Sequence, residues 1–308
     1  MKRLLAAVIL ILGVSLAAQQ PTQTPAPDAP ETRITLEVNR VDMLFTVTDK
    51  KGRFITDLGK DDFQVLENKQ PQVIQEFTAE SNLPLRIAIL VDTSNSIRDR
   101  FKFEQQAAID FVNSVIRPEQ DRAMIVSFDS SAELVADLIG NPETLAAAIR
   151  SLRPGGGTAL YDALYYACRD KLQLDKPRYR FRRAVIIVSD GEDNQSRVSR
   201  DQALEMAQKA DAVIYCISTN ITRIESDGDK LLKYLSQETG GQSFFPFKPE
   251  DLAQSFENIA NELRHQYAIF YRPEPFRTDG LYHTVALRVK SRHDVIVRAR
   301  KGYYAPKM

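Results

Sequence analysis

Through the middle of the chain, short runs that are almost wholly apolar alternate with longer segments of helical period. RIAILVDTS (86–94), RRAVIIVSDGED (182–193) and DAVIYCIST (211–219) read as strands with both faces buried. Between and after them, apolar positions recur every three to four residues in FKFEQQAAIDFVNSVI (101–116), PETLAAAIRSL (142–152), ALYDALYYACRDKL (159–172), SRDQALEMAQKA (199–210), DKLLKYLSQET (229–239) and PEDLAQSFENIANELRHQ (249–266). DRAMIVSFDS (121–130) and AELVADLIG (132–140) form a hairpin pattern, and QSFFPF (242–247) a short strand. Buried strands alternating with helices predict an α/β class: a doubly wound, mostly parallel sheet with right-handed crossovers.

Both flanks have a different rhythm. ITLEVNRVDMLFTVTD (34–49), KKGRFITDL (50–58) and DDFQVLENKQPQVIQEFTAE (61–80) alternate apolar and polar residues, as do YAIFYRP (267–273), YHTVALRVK (282–290) and VIVRARKGYYAP (295–306). Each flank predicts a few half-buried antiparallel strands, too few to bury a core alone. Val41, Leu44, Phe45 and Val47 on one side, and Val285, Leu287, Val289, Ile296 and Val297 on the other, therefore call for a shared core. The expected architecture is an α/β domain (83–265) inserted in a small β-sandwich-like domain built from residues 33–82 and 266–308.

The N-terminus MKRLLAAVILILGVSLAAQQ has a basic start, an apolar run and small residues near position 18, the pattern of a signal peptide over 1–18. Its apolar run of about 15 residues spans roughly 22 Å as a helix, short of a ~30 Å bilayer core. The rival reading is an uncleaved anchor. No later run is apolar enough to span a membrane, and the proline-rich stretch 19–32 reads as a linker. These features predict a secreted or periplasmic protein with no transmembrane span after cleavage. Basic and acidic residues balance at 41 each, which argues against nucleic acid as a partner. The three histidines, His265, His283 and His293, lie late in the chain and apart from the carboxylate-bearing motifs, which argues against a zinc site built on imidazole. Cys168 and Cys216 each fall inside a regular element and read as buried thiols; export leaves a bridge open.

The candidate chemistry lies at the carboxyl ends of strands, where open α/β sheets place their ligands. Asp92, Ser94 and Ser96 follow one strand at alternate positions, Asp190 follows another, and Thr158 sits in the glycine-rich PGGGTALYDAL. Two carboxylates and three hydroxyls make an all-oxygen donor set, which suits Mg2+ first, with Mn2+ or Ca2+ as alternatives. Taken singly, a D-x-S-x-S stretch is a helix cap and a GGG turn is only a turn; their order within the α/β alternation is what discriminates. Asp129, Asp162, Glu192 and Asp193 are further acidic neighbours. Of these, Asp162 is expected to face solvent, and Glu192 and Asp193 to belong to a solvated loop.

DTSNS, GGGTALYDAL and VSDGED resemble the metal-ion-dependent adhesion site (MIDAS) of von Willebrand factor type A domains, position for position. The resemblance runs from about residue 85 to 265, and the flanks resemble a bacterial secreted subgroup. It implies that Asp92, Ser94, Ser96, Thr158 and Asp190 hold a cation whose free position takes an Asp or Glu carboxylate of a protein partner. It implies a non-enzymatic binding or adhesion module. Two alternatives remain at this point: a metal-dependent hydrolase using the same ion, and a structural module that the ion only stabilises.

Overall fold

The computed structural model describes residues 40–79, 83–176, 180–220, 222 and 224–307. The signal-peptide and linker readings (1–18 and 19–32) lie outside the described residues. Among the described residues, no helix is long and apolar enough to cross a membrane.

A six-stranded sheet carries the α/β part. Its strands are β5 (Leu85–Asp92), β6 (Arg122–Phe128), β7 (Ala132–Ile139), β8 (Arg182–Ser189), β9 (Ala212–Ser218) and β10 (Ser243–Phe244). They run in the order β10-β9-β8-β5-β6-β7, parallel except for the β6–β7 hairpin. Helices α1 (Phe101–Val115), α2 (Pro142–Ser151) and α6 (Pro249–Arg264) cover one face; α3 (Leu160–Tyr166), α4 (Arg200–Lys209) and α5 (Asp227–Thr239) cover the other. β5 shows how a continuous apolar run serves both faces. Leu85, Ile87, Ile89 and Val91 enter one core layer, while Ala88 and Leu90 enter the opposite one. The helix expected over 159–172 changes pitch: after Tyr166 it continues as a wider π turn over Ala167–Lys171 and a tight turn over Leu172–Leu174. Cys168 and Cys216 are both buried free thiols.

Charge is buried at the end of the sheet where the parallel strands begin. The carboxylate of Asp121, fully buried, accepts from Leu85 N at 2.8 Å, from Arg117 Nε at 2.9 Å and from Arg264 Nη2 at 2.8 Å. Arg182 and Arg183, both below 3% exposed, donate to backbone carbonyls at helix ends: Arg182 to Leu263 O of α6, and Arg183 Nε to Leu172 O at 2.8 Å. Helix C-termini carry unpaired carbonyls and partial negative charge, so a buried guanidinium fits there.

Both flanks build the same two antiparallel sheets. β1 (Val41–Asp49), β4 (Ile74–Thr78), β11 (Tyr267–Tyr271) and β13 (Val295–Ala299) form one, in the order β13-β1-β11-β4. β2 (Phe63–Glu67), β3 (Gln70–Gln72), β12 (Tyr282–Val289) and β14 (Gly302–Tyr304) form the other, in the order β14-β12-β2-β3. Their shared core holds Val41, Met43, Phe45, Val47, Phe63, Tyr267, Val285 and Val289. The expected shared core is therefore present, with two corrections of face. Leu44 points away from it, and Ile296 is 46% exposed. Side chains alternate across a strand, so Met43 shares the face of Phe45 and Leu44 cannot.

Three further expectations change. KKGRFITDL makes only an isolated bridge, Thr48 to Phe54. The Asp49 carboxylate captures Lys51 N and Arg53 N, and Tyr267 hydroxyl donates to Ile55 O at 2.8 Å, so local turns replace a ladder. VIVRARKGYYAP is two strands in two sheets. His283 is not apart from carboxylates: its Nδ1 lies 2.8 Å from Glu67 Oε1 and its Nε2 3.2 Å from Asp279 Oδ1.

Candidate metal centre

β5 delivers Asp92 to the carboxyl edge of the sheet, where it is fully buried. Its Oδ1 accepts from Ser94 N at 2.8 Å, closing a tight turn that points the next two serines the same way. Ser94 Oγ lies 2.9 Å from Ser96 Oγ, and Ser96 Oγ donates to Asp190 Oδ2 at 2.8 Å. Four of the five sequence-designated residues thus form one hydrogen-bonded chain. Asp92 and Ser94 are buried, Ser96 is exposed and Asp190 half-buried. The chain therefore opens to solvent at Ser96, its link to Asp190.

Thr158 comes in on the glycine-rich loop. Gly155 N donates to Thr93 O at 2.6 Å, and Asn95 Nδ2 donates to Gly156 O at 3.2 Å, so the loop is stitched to the Asp92 turn. Gly156 has φ +82°, and a Cβ there would lie 2.9 Å from Ser130 Oγ; both the turn and the close approach require glycine. Thr158 itself is buried. No hydrogen bond joins its hydroxyl to the other four residues; its place beside them is set by backbone.

Several residues that hold this geometry were not singled out in the sequence. Ser189, the last residue of β8, donates from Oγ to Asp92 Oδ2 at 2.6 Å and accepts from Gly191 N at 3.0 Å. Asn194 Oδ1 accepts from Thr158 N at 3.1 Å, and Asn194 N donates to Thr158 O at 3.0 Å. A serine at a strand exit was visible in VSDGED, but its partner lies on another strand.

The acidic neighbours are corrected here. Asp193 lies, half-buried, in the largely exposed loop after β8, but its carboxylate is engaged: Oδ2 caps α3 by accepting from Tyr161 N at 2.9 Å, and it also accepts from Ser196 Oγ at 2.6 Å. Asp162 does not face solvent: half-buried, it accepts from Arg197 N at 2.9 Å and Val198 N at 3.0 Å. Asp129 accepts from Ser131 N at 3.2 Å. These carboxylates are occupied by backbone amides. Glu192 is exposed.

The electrostatics of the cluster favour a cation. Burial pushes the Asp92 carboxyl up to about 6, Ser189 and Ser94 pull it back, and the Asp190 carboxylate raises it again. Among the described residues, no group of three or more His, Cys, Asp or Glu side chains could hold a metal. What the strand tips offer instead is two carboxylates and hydroxyls, a hard oxygen donor set that fits Mg2+.

Residues 87–192 match the family model of the von Willebrand factor type A domain, a span that contains all five residues. No curated protein gives a significant match. A von Willebrand factor type A structure from Catenulispora acidiphila superposes with a TM-score of 0.52 at 14% identity, over 89% of this chain and 75% of that one. Proximal thread matrix protein 1 from the mussel byssus, with a zinc-occupied MIDAS motif, gives a TM-score of 0.51 at 19% identity, over 63% of this chain. The match spans about half of the mussel protein, 48% of its length. The PilB minor pilin of Streptococcus sanguinis gives 0.48 at 14% identity, over 61% of this chain and 63% of that one. At such identities the likeness concerns the fold, and the α/β part of this chain has the von Willebrand factor type A fold.

Proposed function

We propose that Asp92, Ser94, Ser96, Thr158 and Asp190 together hold one divalent cation, Mg2+ by preference, and that an Asp or Glu side chain of a partner protein completes its coordination. The observation that carries this reading is the buried Asp92 carboxylate. Among the described residues it has hydroxyl and amide partners but no cationic side chain, and it shares a hydrogen-bonded chain with a second carboxylate. Two carboxylates balance the charge of the ion, and neutral hydroxyls leave it electrophilic enough to take one more anionic oxygen. The chain's own residues supply the cradle: the Asp92 turn orients the two serines, Ser189 fixes the Asp92 carboxylate, and Asn194 fixes Thr158. The function is binding rather than turnover. The N-terminal signal pattern supports its being exerted outside the cytoplasm.

Titration calorimetry tests it. One Mg2+ should bind per chain, binding should vanish in Asp92→Ala, and a glutamate-bearing peptide should bind only with Mg2+ present. Equal Mg2+ binding by wild type and Asp92→Ala would sink the reading.

A further inference from the structure

The helix that follows Ser96 in the chain carries a carboxylate that the proposed cradle does not use. Glu104 is on the first turn of α1, 1% exposed, and neither of its oxygens has a hydrogen-bond partner among the described residues. Its partner by spacing is Arg100, four residues earlier, where oppositely charged side chains meet on a helix. Arg100 is turned elsewhere: Nη1 donates to Thr219 O at 2.6 Å and Nη2 to Pro246 O at 3.2 Å, tying together the loops after β9 and β10. The Thr219 hydroxyl is also buried without a partner among the described residues.

An ionised carboxylate buried in this way is strongly disfavoured, so the group keeps its proton. Burial pushes Glu104 up to about 8, Arg100 opposes this, and the Asp92 and Asp190 carboxylates push it higher. Among the described residues these three are the charged groups acting on it. The helices packed against α1, α2 and α6, contribute none.

We propose that Glu104 is the proton-exchange group of the cation site: it holds a proton while the site is free of cation and gives it to solvent when a divalent cation binds between Asp92 and Asp190. The inference rests on the cation reading above. A bound dication cancels the repulsion from those two carboxylates and adds attraction, so the Glu104 O–H bond breaks and its electron pair stays on the carboxylate. The site then has a third negative charge behind it. Glu104 is a positioning charge and makes no hydrogen bond to the proposed ligands of the ion. Cation affinity rises with pH until Glu104 is ionised in the free protein as well, and is constant above that.

The test is Mg2+ calorimetry on the full chain at about pH 7.5 in two buffers of different ionisation enthalpy, which counts protons released. Asp92 is already largely ionised there, so wild type should release about half a proton or more per Mg2+, and Glu104→Gln close to none. Glu104→Gln should bind Mg2+ as wild type does near pH 6.5 and about tenfold more weakly near pH 9. A second readout needs no substitution. In the infrared difference spectrum of wild type, Mg2+ should bleach the C=O stretch of a protonated carboxyl. Equal proton release by wild type and Glu104→Gln, with Mg2+ still bound by both, overturns the proposal, as does an unchanged carboxyl band. A wild type that binds no Mg2+ overturns the cation reading as well, and the two failures are told apart by whether the cation binds.

Discussion

At the scale of the residue, charge buried at opposite ends of the sheet has opposite consequences. Asp92 is the group to change first at the strand tips. Partners outside the coordination shell are themselves worth ~10–100-fold in metal affinity, so Asp92→Ala should lose more than ~100-fold in Mg2+ binding. Ser189→Ala should lose ~10–100-fold as such an outer partner, and Ser94→Ala about tenfold as a neutral ligand; calorimetry ranks the three. Circular dichroism should show the fold intact in each, because the site is at the sheet edge and the core is apolar. The pH dependence has a definite sign. Asp92 is raised on folding, so in the cation-free protein its stability contribution is present below the usual aspartate range and lost as pH rises through about 6. Mg2+ should therefore raise the melting temperature more at about pH 8 than at about pH 5. Asp121 works the other way. Burial alone would raise it, but Arg117, Leu85 N and Arg264 outweigh this and hold it down at about 2. Its contribution is present above the usual aspartate range and is lost as pH falls through about 2. Asp121→Ala strips partners from two arginines and a buried amide, and should cost about 3–5 kcal/mol in a urea unfolding curve.

At the scale of the element, α6 is the helix through which the α/β part leads into the C-terminal strands. Its C-terminal half is fastened on two sides. Glu262, 2% exposed, accepts from Thr46 Oγ1 of β1 at 3.0 Å and from Arg298 Nε of β13 at 3.1 Å. Arg264 reaches Asp121 and Val115 O, each at 2.8 Å. Axial movement would break both sets together, so coupling of this helix to the strand tips should be at most modest. A cross-link from α6 to the sheet should leave Mg2+ affinity unchanged, and a cross-linked protein that loses affinity would contradict this. Glu262→Ala should cost about 2–3 kcal/mol of stability, because it leaves the partly buried Arg298 unpaired. The β13–β14 segment shows the same influence of its surroundings. Arg300 donates to Asp211 Oδ1 at 2.7 Å and to Asp42 O at 2.6 Å, and Lys301 N donates to Glu238 O at 3.2 Å. Those bonds to the turn before β9, to the last turn of α5 and to β1 turn one apolar–polar run into two strands of different sheets.

At the scale of the whole molecule, each antiparallel sheet has a C-terminal strand at its centre. β11 lies between β1 and β4, and β12 between β14 and β2. Deleting Tyr267 to Met308 removes both central strands and leaves β1 without either neighbour. Residues 40–79 should then become protease-labile while the α/β part stays folded and retains the strand-tip site. Limited proteolysis followed by mass spectrometry reads the first point and calorimetry the second. Survival of 40–79 would mean that the two flanks do not depend on one another.

The sequence by itself determined the α/β class and the antiparallel flanks with a shared core, and it singled out the five residues of the proposed cradle. Each of these is written in local order. Strand and helix periods are set by neighbouring side chains, and Asp92, Ser94 and Ser96 occupy alternate positions directly after an apolar run. The tertiary structure alone decided which groups hold those five and what charge stands behind them. Ser189 meets Asp92 across 97 residues of chain, and Asn194 meets Thr158 across 36. Glu104 looks like any helical glutamate until α1 is packed against the sheet and Arg100 is drawn away to two loop carbonyls. The face taken by Met43 rather than Leu44 was likewise fixed only when β1 paired with β11 and β13. A hydrogen bond or a buried charge depends on distance in space. Local pattern fixes each element, but the packing of elements fixes those distances.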